Sequence, residues 1–286
     1  MTLLVSGANG HLGRHVLDAL LERGVPASDI VAGVRTPAKA DDIAARGIRV
    51  VEFDYFRPET LTAGLDGVTR LLLISGGTDG DRASGHRNVI DAARAAGIER
   101  LVYTSAPRVD EIEYALGADH LATERAIAES GLDATILRNN WYNENYLDAV
   151  SRAADSGVIV AAVGDGRVAS ANRRDYAEAA AVALTTDDLR GQTLELAGDV
   201  AWTYDELAAA ASEVLERDVV YQPVSVEQLA AGLEQAGLDA GTAAFVAGID
   251  EAISRGVLSQ TDGTLARVIG HPTTPLVEGL RAGLGR

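Results

Sequence analysis

A glycine-rich turn at the amino terminus constrains this chain more than any other stretch. Met1-Thr-Leu-Leu-Val-Ser6 is a short apolar run, and Gly7-Ala-Asn-Gly10-His-Leu-Gly13 follows at once. His15 to Arg23 then puts Val16, Leu17, Leu20 and Leu21 on one helical stripe. Strand, glycine turn and helix arrive in the order a dinucleotide-binding unit requires. Gly7 can take the backbone angles of a tight turn. Gly10 has no side chain to keep a pyrophosphate off the backbone, and Gly13 lets the helix pack close to the strand. The amides and positive dipole end of that helix then face the phosphates. Gly7, Ala8, Asn9, Gly10, His11, Leu12 and Gly13 are therefore read as cofactor-binding.

The pattern repeats as strand and helix down the first half. Strands are expected over Asp29–Val34, Ile48–Phe53, Arg70–Ile74, Arg100–Thr104 and Asp133–Leu137. Helices are expected over Pro37–Arg46, Pro58–Leu65, Arg82–Ala96 and Ala118–Ser130. Such alternation predicts an α/β fold, a Rossmann-type doubly wound parallel sheet with helices on both faces. Ligands in such sheets lie beyond the carboxyl ends of the strands. There stand Arg35, Ser75, Gly76, Gly77, Ser105 and Arg138, with Asp54 placed near an adenine.

Arg35 occupies the position, about 20 residues after the turn, where an NAD-binding fold usually carries an acidic residue for the ribose 2′-hydroxyl. A guanidinium there can grip a 2′-phosphate through two hydrogen bonds, whereas a carboxylate would repel it. The expected cofactor is NADP(H), with Lys39 as a second contact.

Past Arg138 the pattern loosens. Asn139 to Tyr146 packs amides and aromatics into one loop, followed by a helix to about Asp155 and a short strand over Val158–Val160. An alanine-rich helix starts at Asp175, and Gln192–Leu196 returns a strand to the sheet. Thr203 and Glu206 have the spacing of a capping box opening a helix to about Glu216. Helices are expected over Val226–Gln235, Thr242–Ser254 and Thr264–Ile269. The division that follows is a core over 1–138, a segment over 139–200 completing core and site, and a mainly helical cap on the substrate side over 201–286.

Composition removes several function classes. The 286 residues carry a net charge of −17, which disfavours a nucleic-acid or anionic-membrane partner. There are no cysteines, so thiolate catalysis, disulfides and cysteine metal sites are absent. His11, His15, His86 and His271 show no metal spacing. No run reaches about 18 apolar residues, so no membrane span is expected. The amino terminus is taken up by a strand and a phosphate turn, which leaves no room for a signal peptide, and a cytoplasmic location is expected.

These stretches together resemble the short-chain dehydrogenase/reductase superfamily, in its atypical branch near the NmrA-like proteins. The likeness narrows to the type-2 NADPH:quinone oxidoreductases. It is carried by the glycine turn, Val25-Pro-Ala-Ser28, Val34-Arg-Thr-Pro-Ala-Lys39, Leu71-Leu-Leu-Ile-Ser75 and His86-Arg-Asn-Val-Ile90. Further along it is carried by Arg138-Asn-Asn-Trp-Tyr-Asn-Glu-Asn-Tyr146, Leu196-Ala-Gly-Asp199, Ala201-Trp-Thr203 and Ile269-Gly-His-Pro-Thr-Thr274. Triphenylmethane-dye reductases are near relatives, and His120-Leu-Ala-Thr-Glu124 and Val224-Ser-Val-Glu227 look somewhat like theirs. The resemblance implies NADP contacts at the glycine turn, at Arg35, from Ser75 to Gly77, along Asn139 to Glu144 (so including Asn139, Trp141 and Glu144), and around Ala171 to Tyr176. Arg173 in that last stretch would reach a cofactor phosphate or cap a helix.

Ordinary members of the superfamily use Tyr-x-x-x-Lys, in which the lysine depresses the tyrosine pKa for proton shuttling. The chain has one lysine, Lys39, and no such motif; His120 and Glu124 stand where the helix would carry it. Alcohol oxidation is thereby disfavoured. Quinone reduction tolerates the loss, because the acceptor is electron-poor and needs mainly to be held against the donor carbon. Asn140, Tyr142 and Asn143 could hydrogen-bond a quinone oxygen as charge develops. Trp141 could stack on a flat substrate. His120, which titrates near neutrality when unperturbed, could supply a proton, or water could. Ser105 could donate to a substrate oxygen. The expected partner is a small quinone-like acceptor, and a homo-oligomer is compatible with the chain. Two rival readings share the cofactor features: a reductase of triphenylmethane dyes or other flat electrophiles, and an NmrA-like redox sensor that binds NADP(H) without turnover.

Overall fold

The computed structural model describes residues 1–76 and 81–286. In chain order its elements are β1 (Leu3–Ser6), α1 (His11–Glu22), β2 (Ile30–Val34), α2 (Asp41–Ala44), β3 (Arg49–Glu52), α3 (Pro58–Gly64), β4 (Arg70–Leu73), α4 (Arg82–Ala95), β5 (Arg100–Ser105), α5 (Ala115–Ser130) and β6 (Ala134–Asn139). There follow α6 (Leu147–Ser156), β7 (Val158–Ala161), β8 (Arg167–Val168), α7 (Arg173–Thr185), β9 (Thr193–Leu196), β10 (Trp202–Thr203), α8 (Tyr204–Leu215), β11 (Val220–Pro223), α9 (Val226–Gln235), α10 (Ala240–Ser254), α11 (Thr264–Ile269) and α12 (Leu276–Gly283). The chain divides into two compact units. One comprises Met1–Ala106, Asp119–Asn139 and Arg173–Glu195; the other comprises Pro107–Ala118, Asn140–Asn172 and Leu196–Arg286.

The first unit holds a seven-stranded sheet in the order β3-β2-β1-β4-β5-β6-β9. From β3 to β6 every pairing is parallel. The strands are buried on both faces, which is why they read as continuous apolar runs rather than alternating ones. One face presents Leu4, Val31, Leu71, Leu73, Leu101 and Tyr103 to α3, α4 and α5 through Leu61, Val89, Ile90 and Ile127. The opposite-facing residues, Leu3, Val5, Leu72 and Val102, are buried as well, and α1 packs against α7. Strand order reverses between β1 and β4, the topological switch point of a doubly wound sheet.

The second unit is built around Tyr146, Val150, Trp202, Tyr204, Leu207 and Val214, with two small sheets, β8–β10 antiparallel and β7–β11 parallel. The capping box is formed: Thr203 accepts from the Glu206 amide and the Glu206 side chain accepts from the Thr203 amide. Asp250 of α10 is half-buried and accepts from the Ala162 amide over 2.7 Å. Among the described residues no helix is long and apolar enough to cross a membrane, and no cluster of His, Asp and Glu could hold a metal ion.

Two local expectations need correction. The helix after the glycine turn begins at His11, one residue beyond Gly10, not at His15. Pro37–Arg46 is not one helix but a 3-10 turn over Pro37–Lys39 and the single turn of α2, because only Ala40 and Ile43 in it are buried.

Candidate active site

In the first unit the turn between β1 and α1 has the expected form. Gly7 has φ +59°, and a Cβ on Gly13 would lie 2.4 Å from the Gly7 carbonyl oxygen and 2.7 Å from the Ala8 Cα. Only glycine fits there. Gly7, Gly10 and His11 are exposed, Ala8 and Leu12 are buried beneath them, and Asn9 is half-buried. Arg14, which the sequence reading passed over, holds the turn by donating to both the Asn9 carbonyl and the Asn9 side chain, and it pairs with Asp42. A salt bridge to a distant helix residue leaves no local sequence signal.

Hydroxyl groups tie the neighbouring strand ends together. The Ile74 amide donates to Ser6 Oγ over 3.0 Å, Ser6 Oγ and Tyr55 Oη are 2.5 Å apart, and Tyr55 Oη donates to the Ile74 carbonyl over 2.8 Å. The Ser75 amide donates to Thr104 Oγ1 over 2.8 Å. Ser75 and Gly76 are half-buried at this edge; Gly77 lies outside the described residues. Arg35 and Lys39 are exposed just past β2, accessible to a phosphate. Asp54 caps the turn after β3 by accepting from the Phe56 amide over 3.0 Å. Arg173 opens α7 and is half-buried.

Ser105 ends β5 opposite Arg138 of β6. Its hydroxyl donates to Glu124 Oε1 over 2.5 Å. Arg138 grips the same carboxylate at two points, 3.0 Å and 2.7 Å, and reaches Glu195 at 3.0 Å. Asn139 is 5% exposed, and neither its amide nitrogen nor its oxygen has a hydrogen-bond partner among the described residues. Such an orphaned buried amide is costly to leave unmet.

His120 does not titrate near neutrality. It is buried, 2.9 Å from Tyr103 Oη, and burial, with the Arg82 charge and His86 nearby, pushes its pKa down to about 3. The ring is neutral at pH 7, so it holds no readily released proton.

In the second unit the loop after Asn139 is laced to residues 170–172. The Asn143 amide donates to the Ala171 carbonyl, and the Ala171 amide to the Trp141 carbonyl. The side chains that sequence offered to a quinone oxygen are largely engaged. Asn140 Nδ2 donates to the Leu258 carbonyl over 3.2 Å, and its Oδ1 accepts from the Trp141 amide over 2.6 Å. Asn143, 1% exposed, donates to Asn172 over 2.7 Å and accepts from Ser170, which in turn accepts from Trp202 Nε1. Gly279 of α12 backs this pair so closely that a Cβ would lie 2.2 Å from Asn172 Oδ1. Asn140 and Asn143 therefore frame the loop. Trp141, Tyr142 and Glu144 are half-buried. Trp141 also lines a small apolar cavity of about 20 Å³ with Tyr114, Leu116, Ile249, Ile253 and Leu258.

Comparison with known proteins bears on the family and the fold. The model of the NAD(P)H-binding family matches residues 7–187. Quinone oxidoreductase 2 of Escherichia coli (strain K12) is 46% identical over 276 residues, 96% of this chain and 96% of the relative. The Escherichia coli NADPH-dependent quinone oxidoreductase QOR2 complexed with NADPH superposes with a TM-score of 0.95 at 45% identity, covering 98% of this chain and 99% of that one. The Citrobacter sp. triphenylmethane reductase complexed with NADP(H) gives 0.93 at 39% identity, covering 99% and 100%. A strand, a turn only glycine can make and a parallel sheet with a switch point, matched along nearly the whole length, place this chain in the NAD(P)H-binding family of oxidoreductases, in the group that includes quinone oxidoreductase 2.

Proposed function

We propose that this protein is an NADPH-dependent reductase of quinones that transfers hydride directly, without flavin. The observation that carries this reading is the full-length 46% identity to quinone oxidoreductase 2, on a fold whose phosphate turn is intact. When bound, NADPH supplies the hydride. The Gly7–Gly13 turn would hold its pyrophosphate, and Arg35, helped by Lys39, would hold the 2′-phosphate. Ser75, Ser105, Asn139 and Arg173 would contact the rest of the nucleotide. Trp141 would stack on the flat acceptor and Tyr142 would hydrogen-bond its oxygen, on a loop whose shape Asn140 and Asn143 maintain. Water supplies the proton that completes the hydroquinone, because the buried His120 is neutral.

The test is loss of nicotinamide absorbance when purified protein meets NADPH or NADH, with and without a simple benzoquinone. Protein-dependent oxidation favouring NADPH is expected. Tight NADPH binding without turnover would replace the enzyme by a sensor. Since triphenylmethane reductase superposes so well, a triphenylmethane dye belongs in the same assay. A dye turned over faster than the quinone would move the substrate assignment.

A further inference from the structure

We propose that Ser105 meets the nucleotide as a hydrogen-bond acceptor, taking an N–H of the nicotinamide carboxamide, and that Glu124 and Arg138 are the positioning residues that fix it in that sense. The inference rests on the NADPH reading above. A serine hydroxyl has one proton and two lone pairs. In Ser105 the proton goes to Glu124 Oε1 over 2.5 Å. Glu124 is not free to turn away. Arg138 binds both its oxygens, at 3.0 Å and 2.7 Å, in the two-point geometry that orients a carboxylate most firmly. Glu195 steadies the far side of Arg138 at 3.0 Å. The two central side chains are only 9% and 11% exposed, so solvent does little to loosen the pair.

This arrangement reverses the role that sequence suggested for Ser105. A quinone presents oxygens that accept, and a hydroxyl whose proton is held by a carboxylate cannot donate to them. Among the described residues no group donates to Ser105 Oγ, so its lone pairs carry no hydrogen bond, and the residue is 5% exposed. Their complement is a donor on a ligand. The reactive end of NADPH carries ribose hydroxyls and a carboxamide. A hydroxyl can pair with serine in either sense and would not require the serine proton to be fixed. The carboxamide N–H can only donate, and a fixed acceptor selects it.

The test compares binding of NADP+ with that of its 3-acetylpyridine analogue, whose acetyl group has no N–H, by calorimetry. Dissociation constants are measured for the wild type, Ser105→Ala, Ser105→Thr and Glu124→Gln. The ratio of analogue to NADP+ dissociation constants should fall about 3- to 10-fold in Ser105→Ala, the size of one net hydrogen bond. Ser105→Thr should keep the ratio. Glu124→Gln should lower it, because a glutamine N–H can donate to Ser105 and release the serine proton outward. An unchanged ratio in Ser105→Ala, or equal weakening of both ligands, overturns the proposal while leaving NADP+ binding in place. Failure of the wild type to bind NADP+ removes the cofactor reading and this inference with it. Should Glu124→Gln not fold, the alanine and threonine variants decide.

Discussion

The carboxyl edge of the parallel sheet and the loop after Asn139 solve the problem of holding a ligand in different ways. At the sheet edge the decisive groups are backbone: a turn with positive φ, helix amides and strand ends tied by Ser6, Tyr55 and Thr104. Side chains there include the exposed Arg35 and the buried Ser105, whose proton is held by Glu124. In the loop, the polar side chains are largely engaged with one another, and what faces the cavity is apolar. A site of the first kind recognises one ligand closely. The second region offers an apolar surface with little hydrogen-bonding capacity left over.

This contrast can be broken or sharpened by substitution. The largest effect is expected at Gly13→Ala. A methyl group 2.4 Å from a backbone oxygen must displace the turn, and NADPH affinity should fall on the order of 100-fold with far-ultraviolet circular dichroism preserved. Unchanged affinity would mean that the turn does not carry the phosphates. Next comes Arg35→Glu, which should raise KM for NADPH about 10- to 100-fold and leave KM for NADH nearly unchanged. Equal effects on both would sink the 2′-phosphate assignment.

Asn143→Ala tests the other region. It removes the hydrogen bonds that Asn143 makes with Ser170 and Asn172, at about 1–3 kcal/mol. A Tm lower by roughly 2–4 °C for each kcal/mol is expected, with NADP+ affinity unmoved. A large loss of nucleotide affinity without loss of stability would show that Asn143 serves the cofactor rather than the loop.

Asp250 gives the second unit a pH signature. Burial raises its pKa from the ordinary 3.8 to about 6. The folded chain thus holds a proton that the unfolded chain has released, and this contribution to stability is lost as pH rises from about 4 through about 6. Thermal melts across that window should show less decline in Asp250→Asn than in the wild type. Identical slopes would mean that the carboxylate reaches water. The smallest effect is expected at His120→Ala, with quinone turnover changing less than about 10-fold, since a general acid is typically worth at least 100-fold. A greater loss would restore His120 as a proton donor.

The same contrast explains what could be read from sequence. β1, the glycine turn and the apolar strands were legible because backbone geometry and double burial impose residue types locally. That the strands run parallel followed from alternation, whereas their order in the sheet did not. The two-residue strands β8 and β10 were not legible, being too short to show a period, and neither was α12, whose close approach through Gly279 depends on partners about 110 and 140 residues earlier. The engagement of Asn140 and Asn143, and the grip of Arg138 on Glu124, are tertiary facts. Residue type announced polar capacity there but not which partner would take it. The pKa of His120 was not legible for the same reason, since it is set by burial rather than by its neighbours in sequence.

Lys39 sits exposed at the end of its 3-10 turn, four residues beyond Arg35, and it is the only lysine in the chain. An amine-acylating reagent therefore finds two targets on the whole molecule, Lys39 and the amino terminus. The mass of one tryptic peptide reports modification at Lys39, which the proposed function puts against the 2′-phosphate, and the amino terminus serves as internal standard. On that reading the protein carries its own occupancy gauge, readable by mass spectrometry without an introduced label.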